Sequence, residues 1–399
     1  MELKIIKFDH FGRGIAKVSN KIYFVDKALP GEIVDVIVTQ DKKNYSEAKI
    51  DKVIEKSNQR IDSICPLFNK CGGCNFLHTT YEEEIKFKKE KALELLGRCD
   101  HFYETKDMNY RNKVTLHVKD DKIGFYQEKS HEIITIDYCY LLDDRINRVI
   151  NELNMISMSD YNITKIIIKS NNGKVLLDVD GIVDDFFITY FDDVDTIISN
   201  NKTVKGNNQQ EEIIDNKVFK ITSNAFFQVN KQGLENINRI IQRYLKDKKI
   251  NKSLDLYSGT SLWGILISNK VREVTSIEVN KEASLNAIDN IKKNNISNIK
   301  VINGRVEDYI DTFNDIDLCI IDPPRSGLDK KTIAYLKKIN SKYLIYVSCD
   351  MLTLKRDLDL LKDNYIINEV NLVDMFKRTY HCEVVTILER KNKKLNCYI

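Results

Sequence analysis

The sequence predicts an α/β protein, with a doubly wound parallel sheet in its C-terminal part, a small β-barrel at its start and a mixed α+β region between them. Three observations predict it. Residues 1–56 alternate short apolar runs with Gly and Pro, as in GRGIAKV and KIYFVDKALPGEIVDVIV, the pattern of short strands closing on one another. Residues 113 to about 222 carry the strand-like runs KVTLHV, KIGFY, KIIIK, KVLLDV and KVFKITS between Asn, Gly and Asp clusters, with helical LLDDRINRVINEL interposed. From about 223 onward strands and helices alternate, from SLDLYS through EVTSIEV, EASLNAIDNIKKN, IDLCIID and YLIYVS to EVVTILER. That order specifies a doubly wound sheet with an antiparallel last strand. Domains are therefore drawn at 1–56, 57–222 and 223–399.

Within this frame, Pro30-Gly31 marks a tight turn of the barrel. The run 81–96 is helical, with Ile85, Ala92 and Leu96 on one face, charged residues elsewhere, and Gly97 where the helix ends. It is a candidate to pack on the C-terminal domain.

Composition bounds the function. A chain of 399 residues with 42% hydrophobic and 30% charged residues is that of a multidomain globular protein. It has no apolar run of about 18 residues to cross a membrane. The opening MELKIIKFDHFGRG lacks the continuous apolar stretch of a signal peptide, so the cytoplasm is expected. A net charge of +3 is too small to establish a nucleic-acid partner. Nine cysteines, an odd number, argue against a disulfide framework and for reduced thiols.

Cys65, Cys71 and Cys74 stand as C-x5-C-x2-C, with Gly72 and Gly73 allowing a tight backbone between neighbouring thiolates. Cys139, in TIDYCYL, is the candidate fourth ligand, ahead of Cys99. Four thiolates hold zinc or an iron-sulfur cluster, and spacing alone does not separate them, although no second C-x2-C is present to make a zinc ribbon. A structural role would suffice, because joining residue 139 to residue 65 closes a long loop.

Asp255 to Gly264, DLYSGTSLWG, reads as a strand, a glycine turn and a helix start, where S-adenosylmethionine binds by close backbone approach. Alone the pattern is weak, and NAD uses the same logic. Glu278 in TSIEVN ends the next strand, where an acid accepts from ribose hydroxyls; standing by itself it would be a solvated strand end. Asp322 opens DPPRSG after the strand IDLCII, at the carboxyl edge where open α/β sheets bind ligands. The residue after the two prolines is Arg325, not the base-stacking aromatic of amino-methylating enzymes, and the loop lacks the cysteine of cytosine C5-methylating ones.

Cys349 ends the buried-strand pattern YLIYVS and precedes the helix LTLKRDLDLL, whose N-terminus is expected to favour thiolate. Cys319, inside IDLCII, better fits the inert buried thiol. Glu383 precedes the strand VVTILER. A thiol and a carboxylate at one sheet edge suit methylation of a pyrimidine carbon. Uracil C5 is a poor nucleophile until a thiolate adds to C6, and a base must afterwards take the C5 proton.

Residues 1–56 resemble the TRAM module, an OB-like RNA-binding barrel, through GRGIA, FVDKALPGE and VDVIV. The whole chain resembles the S-adenosylmethionine-dependent RNA uracil-5-methyltransferases, in particular their iron-sulfur, TRAM-bearing ribosomal RNA branch. The resemblance rests on GRGIA, ALPGE, the four cysteines, NAFFQVN (224–230), DLYSG, IEVN, DPPRSG, YVSCD and MFKRTYHCE, in that order. It implies a class I methyltransferase domain, Cys349 as nucleophile and Glu383 as base. It further implies Gln228, Tyr257, Gly259, Glu278 and Asp322 lining the cofactor and target-base pocket, and a [4Fe-4S] cluster on Cys65, Cys71, Cys74 and Cys139, with zinc as the alternative. Phe226 or Phe227 is the candidate to stack on a flipped uridine, although either also suits a core.

Three departures stand inside the resemblance. Ser261 replaces a glycine, Cys349-Asp350-Met351 replaces Cys-Asn-Pro, and Lys377-Arg378-Thr379-Tyr380 replaces Pro-His-Thr-His. The expected function is methylation of a uridine in 23S ribosomal RNA, in a single strand or loop, by a cytoplasmic monomer with no membrane partner. A transfer RNA substrate, or an RNA-binding assembly factor that has lost catalysis, is the alternative.

Overall fold

The computed structural model describes residues 1–127, 130–223, 227–339 and 341–391. The chain divides into two compact units, one made of Met1–Gly97, Tyr126–Ile134 and Phe376–Cys382, the other of Arg98–Phe125, Thr135–Met375 and Glu383–Ile399. The stretch 57–222 is thus divided, residues 57–97 and 126–134 in the first unit and 98–125 and 135–222 in the second.

In the first unit, β1 (Glu2–Lys4), β2 (Lys7–Phe8), β3 (Gly14–Val18), β4 (Lys21–Asp26), β5 (Ile33–Asp41) and β6 (Tyr45–Glu55) form one sheet in the order β1-β5-β6-β4-β3-β2. Alternate apolar residues turn inward, and Leu3, Ile5, Ala16, Val25, Val34, Val36 and Ala48 make the core. The ALPGE turn is closed chemically as well as sterically. Gly31 takes φ +87°, and the buried Glu32 carboxylate accepts from the Leu29 N–H (2.9 Å) and from the Arg60 guanidinium.

The helix α1 (Tyr81–Leu96) starts at Thr80, whose hydroxyl accepts from the Glu83 N–H, and ends at Gly97 in the left-handed conformation (φ 75°). Its buried face differs from the expected apolar stripe: Glu83, Glu84, Phe87, Lys88 and Ala92 are the buried residues. Glu84 and Lys88 are fully buried one turn apart, with Nζ to Oε1 at 2.6 Å. The pair is sheltered by the segment 376–382. The Arg378 N–H donates to Glu84 Oε1 (2.8 Å), and the Arg378 carbonyl accepts from the Asn75 and Phe76 N–H groups. A buried charge stripped of its partner costs several kcal/mol, so the two charges are tolerated there only together. Lys377 lies 3.3 Å from the centre of the Tyr81 ring, and Tyr380 packs edge-on against Phe11. The unusual KRTY stretch is thereby accounted for by packing within this unit.

In the second unit, β7 (His101–Tyr103) is followed by β8 (Lys113–Lys119) and β9 (Lys122–Tyr126), and the short strand β10 (Ile133–Thr135) falls where the chain passes between units. After α2 (Asp144–Leu153) come β11 (Lys165–Asn171), β12 (Lys174–Val179), α3 (Asp185–Tyr190), β13 (Thr196–Ser199) and β14 (Lys202–Lys205). The run β9-β8-β11-β12-β13-β14 forms one sheet, and β15 (Gln210–Ile214) with β16 (Lys217–Ile221) forms a separate hairpin.

The remaining elements alternate: α4 (Lys231–Leu245), β17 (Ile250–Leu256), α5 (Leu262–Ile267), β18 (Val271–Glu278), α6 (Lys281–Lys293), β19 (Ile299–Asn303), α7 (Val306–Tyr309), β20 (Leu318–Ile321), α8 (Lys330–Lys338), β21 (Tyr343–Ser348), α9 (Met351–Leu361), β22 (Tyr365–Val373) and β23 (Glu383–Arg390). They build an eight-stranded sheet ordered β19-β18-β17-β20-β21-β23-β22-β7. The strands from β17 to β21 are parallel, and β23 inserts antiparallel between β21 and β22, as the sequence predicts. The edge strand β7, from the middle region, pairs parallel with β22, so that part of the chain is woven into this unit. The strand order reverses between β17 and β20, and the crevice outside their carboxyl ends is where such sheets bind ligands. Among the described residues no helix is long and apolar enough to cross a membrane.

Candidate active site

Four parallel strands end at one edge of the sheet: β17 at Leu256, β18 at Glu278, β20 at Ile321 and β21 at Ser348. The residues singled out in sequence follow directly as Tyr257, Gly259, Asp322 and Cys349, with Glu278 the last residue of its own strand. Glu383 reaches the same edge from the opposite direction. Ser348 on β21 is paired with Val384 on β23 in antiparallel register. One step further along each strand, Cys349 and Glu383 are neighbours.

Their electrostatics confirm the proximity. Burial pushes the Cys349 thiol up to about 11, the Glu383 charge adds to it, Arg325 pulls against it, and Asp322 and Asp350 push further up. Glu383 is itself raised to about 8 by burial and by Asp322, again opposed by Arg325. Asp322, pushed up to about 6 by burial, is held by the Trp263 indole N–H at 3.0 Å. Thiol, two carboxyls and one guanidinium share a single neighbourhood.

Contrary to the sequence-based expectation, the helix N-terminus does not favour thiolate at Cys349. Asp350 is the N-cap of α9, and its carboxylate already accepts from the Leu352 and Thr353 N–H groups, both at 2.9 Å. The positive end of the helix is satisfied by a side chain that is itself negative. The resting thiol therefore keeps its proton.

The turn after β17 is built from residues with positive φ, Tyr257 (60°), Gly259 (54°) and Ser261 (58°). At Gly259 nothing lies within 4 Å of where a Cβ would be, so the backbone is open to a ligand on that side. Ser261 does not obstruct it, because its side chain is fully buried and its hydroxyl lies 2.7 Å from that of Ser276. Glu278 braces the turn, with Oε2 accepting from the Gly259 N–H (2.8 Å) and Oε1 from the Asn280 N–H (2.7 Å). Each oxygen retains a second lone pair for a hydroxyl donor. The open glycine cradle beside an oriented carboxylate fits S-adenosylmethionine. The Tyr257 hydroxyl lies 3.3 Å from that of Thr332 and 3.4 Å from Asp329 Oδ2.

Asp255, read from sequence only as the start of the glycine-turn motif, and Trp263, read as core, both gain a specific role. Asp255 is fully buried and accepts from the Gly264 N–H (2.9 Å), fixing the start of α5. A Cβ on Gly264 would stand 3.0 Å from this carboxylate and closer still to Ser261 and Ser276, so glycine is needed for the close approach. Trp263, the one tryptophan of the chain, reads as core in SLWGILIS. The clue to its role is that an indole N–H is a donor that seeks an acceptor when buried.

Burial holds the Asp255 carboxyl up at about 8, with the Gly264 N–H opposing and the Asp322 charge adding. Its Oδ1 has no hydrogen-bond partner among the described residues. A carboxyl protonated in the folded state up to about pH 8, but ionised above about pH 4 when unfolded, gives stability that is complete below about pH 4 and lost as pH rises through 8. Calorimetry of wild type and Asp255→Asn at pH 5 and pH 8 should show the wild-type midpoint falling more steeply with pH, since Asn keeps the acceptor and cannot ionise. Equal pH dependence in both proteins would contradict this.

Gln228 is buried beside a hollow lined by Asn112, Lys113, Lys169, Asn171, Ile221 and Phe227. Phe227 packs on Phe219, with ring centres 5.9 Å apart, while Phe226 lies outside the described residues. Cys65, Cys71 and Cys74 belong to the first unit and Cys139 to the second, and among the described residues no group of three or more His, Cys, Asp or Glu side chains stands ready to hold a metal ion. Cys71 Sγ accepts from the Gly73 N–H, and the Cys139 backbone is tied to the Asn147 side chain.

The family profile described as tRNA (Uracil-5-)-methyltransferase matches residues 98–391, well over half of the chain, and that of the TRAM domain matches residues 1–50. The chain belongs to the tRNA (uracil-5-)-methyltransferase family. Similar proteins include an uncharacterized RNA methyltransferase of Clostridium acetobutylicum, 32% identical over 98% of this chain and 97% of the relative, and another of Caldanaerobacter subterraneus subsp. tengcongensis, 31% identical over 98% of each. Among solved structures, the tRNA (uracil-54, C5)-methyltransferase of Pyrococcus abyssi in complex with S-adenosyl-L-homocysteine is similar over 97% of this chain and 99% of that one, at 25% identity and a TM-score of 0.81. Family membership makes this chain an S-adenosylmethionine-dependent RNA (uracil-5-)-methyltransferase with an N-terminal TRAM domain.

Proposed function

We propose that the protein methylates C5 of a uridine in 23S ribosomal RNA, presented in a single strand or loop, through a covalent adduct between Cys349 and C6. It would act as a cytoplasmic monomer. The observation that carries the mechanism is the β21–β23 register, which sets a thiol and a carboxyl side by side at the sheet edge.

Cys349, once its proton has gone to water, adds to C6 of the uracil and turns C5 into an enolate carbon. The cofactor supplies the methyl group that C5 takes up, leaving as S-adenosylhomocysteine. Glu383, ionised, then accepts the C5 proton; the electron pair of that bond forms C5=C6 and expels the Cys349 thiolate. Asp322, which accepts from the Trp263 indole N–H, would orient the ring. Tyr257, Gly259 and Glu278 would hold the cofactor, and Gln228 the target side of the pocket.

Ribosomal RNA is favoured by the TRAM domain together with the four-cysteine spacing. Transfer RNA is the second reading, favoured by the similarity to the Pyrococcus abyssi enzyme. The intact reacting pair speaks against a lapsed assembly factor. A [4Fe-4S] or zinc centre on Cys65, Cys71, Cys74 and Cys139 rests on sequence spacing alone. To decide the substrate, 5-methyluridine should be mapped in 23S ribosomal and transfer RNA from cells with and without the gene. Loss of the modification from 23S RNA alone is expected, and loss from transfer RNA alone would overturn the ribosomal assignment.

A further inference from the structure

The loop that carries Asp322 and Arg325 is held along one side by α9, the helix that follows the thiol. Three side chains of that helix reach across. Thr353 Oγ1 lies 3.1 Å from the Arg325 carbonyl, closer than the 3.3 Å to the Asp350 carbonyl at the start of its own helix. The Arg356 guanidinium donates from Nη2 to the carbonyls of Ser326 (2.9 Å) and Leu328 (3.3 Å). Its Nε donates to Asp357 Oδ1, and Asp357 Oδ2 accepts from the Leu328 N–H and the Tyr346 hydroxyl, all three at 2.8 Å. Asp357 is fully buried, so loop, helix and β21 are joined out of water. Hydrogen bonds to charged groups of this kind are roughly twice as strong as neutral ones.

The fit is close enough to dictate a residue. Gly327 turns at φ +74° with its N–H donating to the Pro324 carbonyl (2.8 Å), and a Cβ there would stand 2.5 Å from Arg356 Nη2 and 2.6 Å from Asp357 Oδ2. The backbone from 325 to 328 is therefore fixed against α9, while the Arg325 side chain is exposed. A long exposed side chain keeps a defined place only if the backbone beneath it does. Arg325 needs such a place, because its charge opposes the rise of both Cys349 and Glu383, against burial and Asp322 at each and against Glu383 and Asp350 at the thiol. The reaction passes negative charge from sulfur to ring to carboxyl, and a cation held still stabilises each stage.

We propose that Thr353 and Arg356 are positioning residues, which pin the backbone of 325–328 and so hold the Arg325 guanidinium at the reacting pair. That role rests on Cys349 and Glu383 being the reacting groups. Both residues act through Arg325.

The full-length protein is assayed with tritiated S-adenosylmethionine and RNA from cells lacking the gene, giving kcat and KM, and S-adenosylhomocysteine binding is measured by titration. Arg356→Met and Thr353→Val should each lower kcat by about 10- to 10²-fold, the scale of a small misplacement at a reacting centre, with cofactor affinity unchanged. Thr353→Ser keeps the hydroxyl and should restore most of the loss. In an Arg325→Met background Arg356→Met should cost nothing further, because the group it positions is gone. Wild-type kcat in both single variants or in Arg325→Met, equal loss in Thr353→Ser and Thr353→Val, or a full multiplicative loss in the Arg325→Met background would each overturn the proposal. Arg356 is half exposed, and should its variant still fail to fold by circular dichroism, Thr353→Val decides the matter with its serine control. The Cys349 adduct formed by Glu383→Gln, measured alongside, separates the two failures: its absence defeats the reacting pair, whereas its presence with any of the contrary results above defeats the positioning role alone.

Discussion

Cys349→Ala is expected to lose multiple-turnover methyl transfer by about 10⁴-fold or more, the scale on which removal of a covalent nucleophile is felt. Without a group to add at C6, the uracil ring remains too electron-poor at C5 to take a methyl cation equivalent. The substitution should leave the fold intact, because the side chain is only partly buried and alanine suits the end of β21. Cofactor affinity should also survive, since the proposed cradle, Tyr257 and Gly259 on the turn after β17 and Glu278 at the end of β18, does not include Cys349. Isothermal titration with S-adenosylhomocysteine alongside a tritium-transfer assay would separate the two. Turnover within tenfold of wild type would remove Cys349 from the mechanism.

Glu383→Gln should produce a different defect. Glutamine preserves volume and one carbonyl acceptor, and it resembles the protonated carboxyl that burial and Asp322 favour up to about pH 8, so the site should remain assembled. Addition to C6 and methylation of C5 need no base at position 383, but loss of the C5 proton does. The variant should therefore transfer at most one methyl per enzyme and then stall, with steady-state turnover down about 10²- to 10⁴-fold, the usual contribution of a positioned base. Rapid-quench measurement of methyl groups transferred per active site distinguishes this from simple inactivation. Undiminished steady-state turnover would mean that another group takes the proton.

The catalytic half of the molecule is readable from the chain because βα alternation brings strand ends to one edge. The rule that ligands bind there then locates Tyr257, Glu278, Asp322 and Cys349 without any coordinates. Glu383 is harder, since its strand runs the other way. Only the Ser348–Val384 register shows that it meets the thiol. Pattern reading failed where a charge is stabilised by a residue remote in sequence. Glu84 and Lys88 look like the solvated side of α1 until Arg378, almost three hundred residues later, is seen beside them. Trp263 and Asp350 carry the same lesson at shorter range, because a hydrogen bond to Asp322 and a helix cap depend on geometry that composition does not encode. For the four cysteines the spacing alone suggests a metal site, and among the described residues no group of three or more His, Cys, Asp or Glu side chains adds to it.

The shared neighbourhood of Cys349 and Glu383 also bears on when the enzyme becomes reactive. Burial raises both groups, with the Glu383 charge adding at Cys349 and the Asp322 charge adding at Glu383, and Arg325 opposes the rise at each. A thiolate and a carboxylate are needed in succession, not together, and one pocket that resists holding both charges is compatible with that order.

The most direct measurement is peptide mapping by mass spectrometry of Glu383→Gln after one turnover with substrate RNA and S-adenosylmethionine. The mechanism predicts a nucleotide joined to the peptide containing Cys349, heavier by one methyl group than an unmodified uridine adduct. Methylated RNA released without any adduct, or an adduct on a different residue, would contradict it.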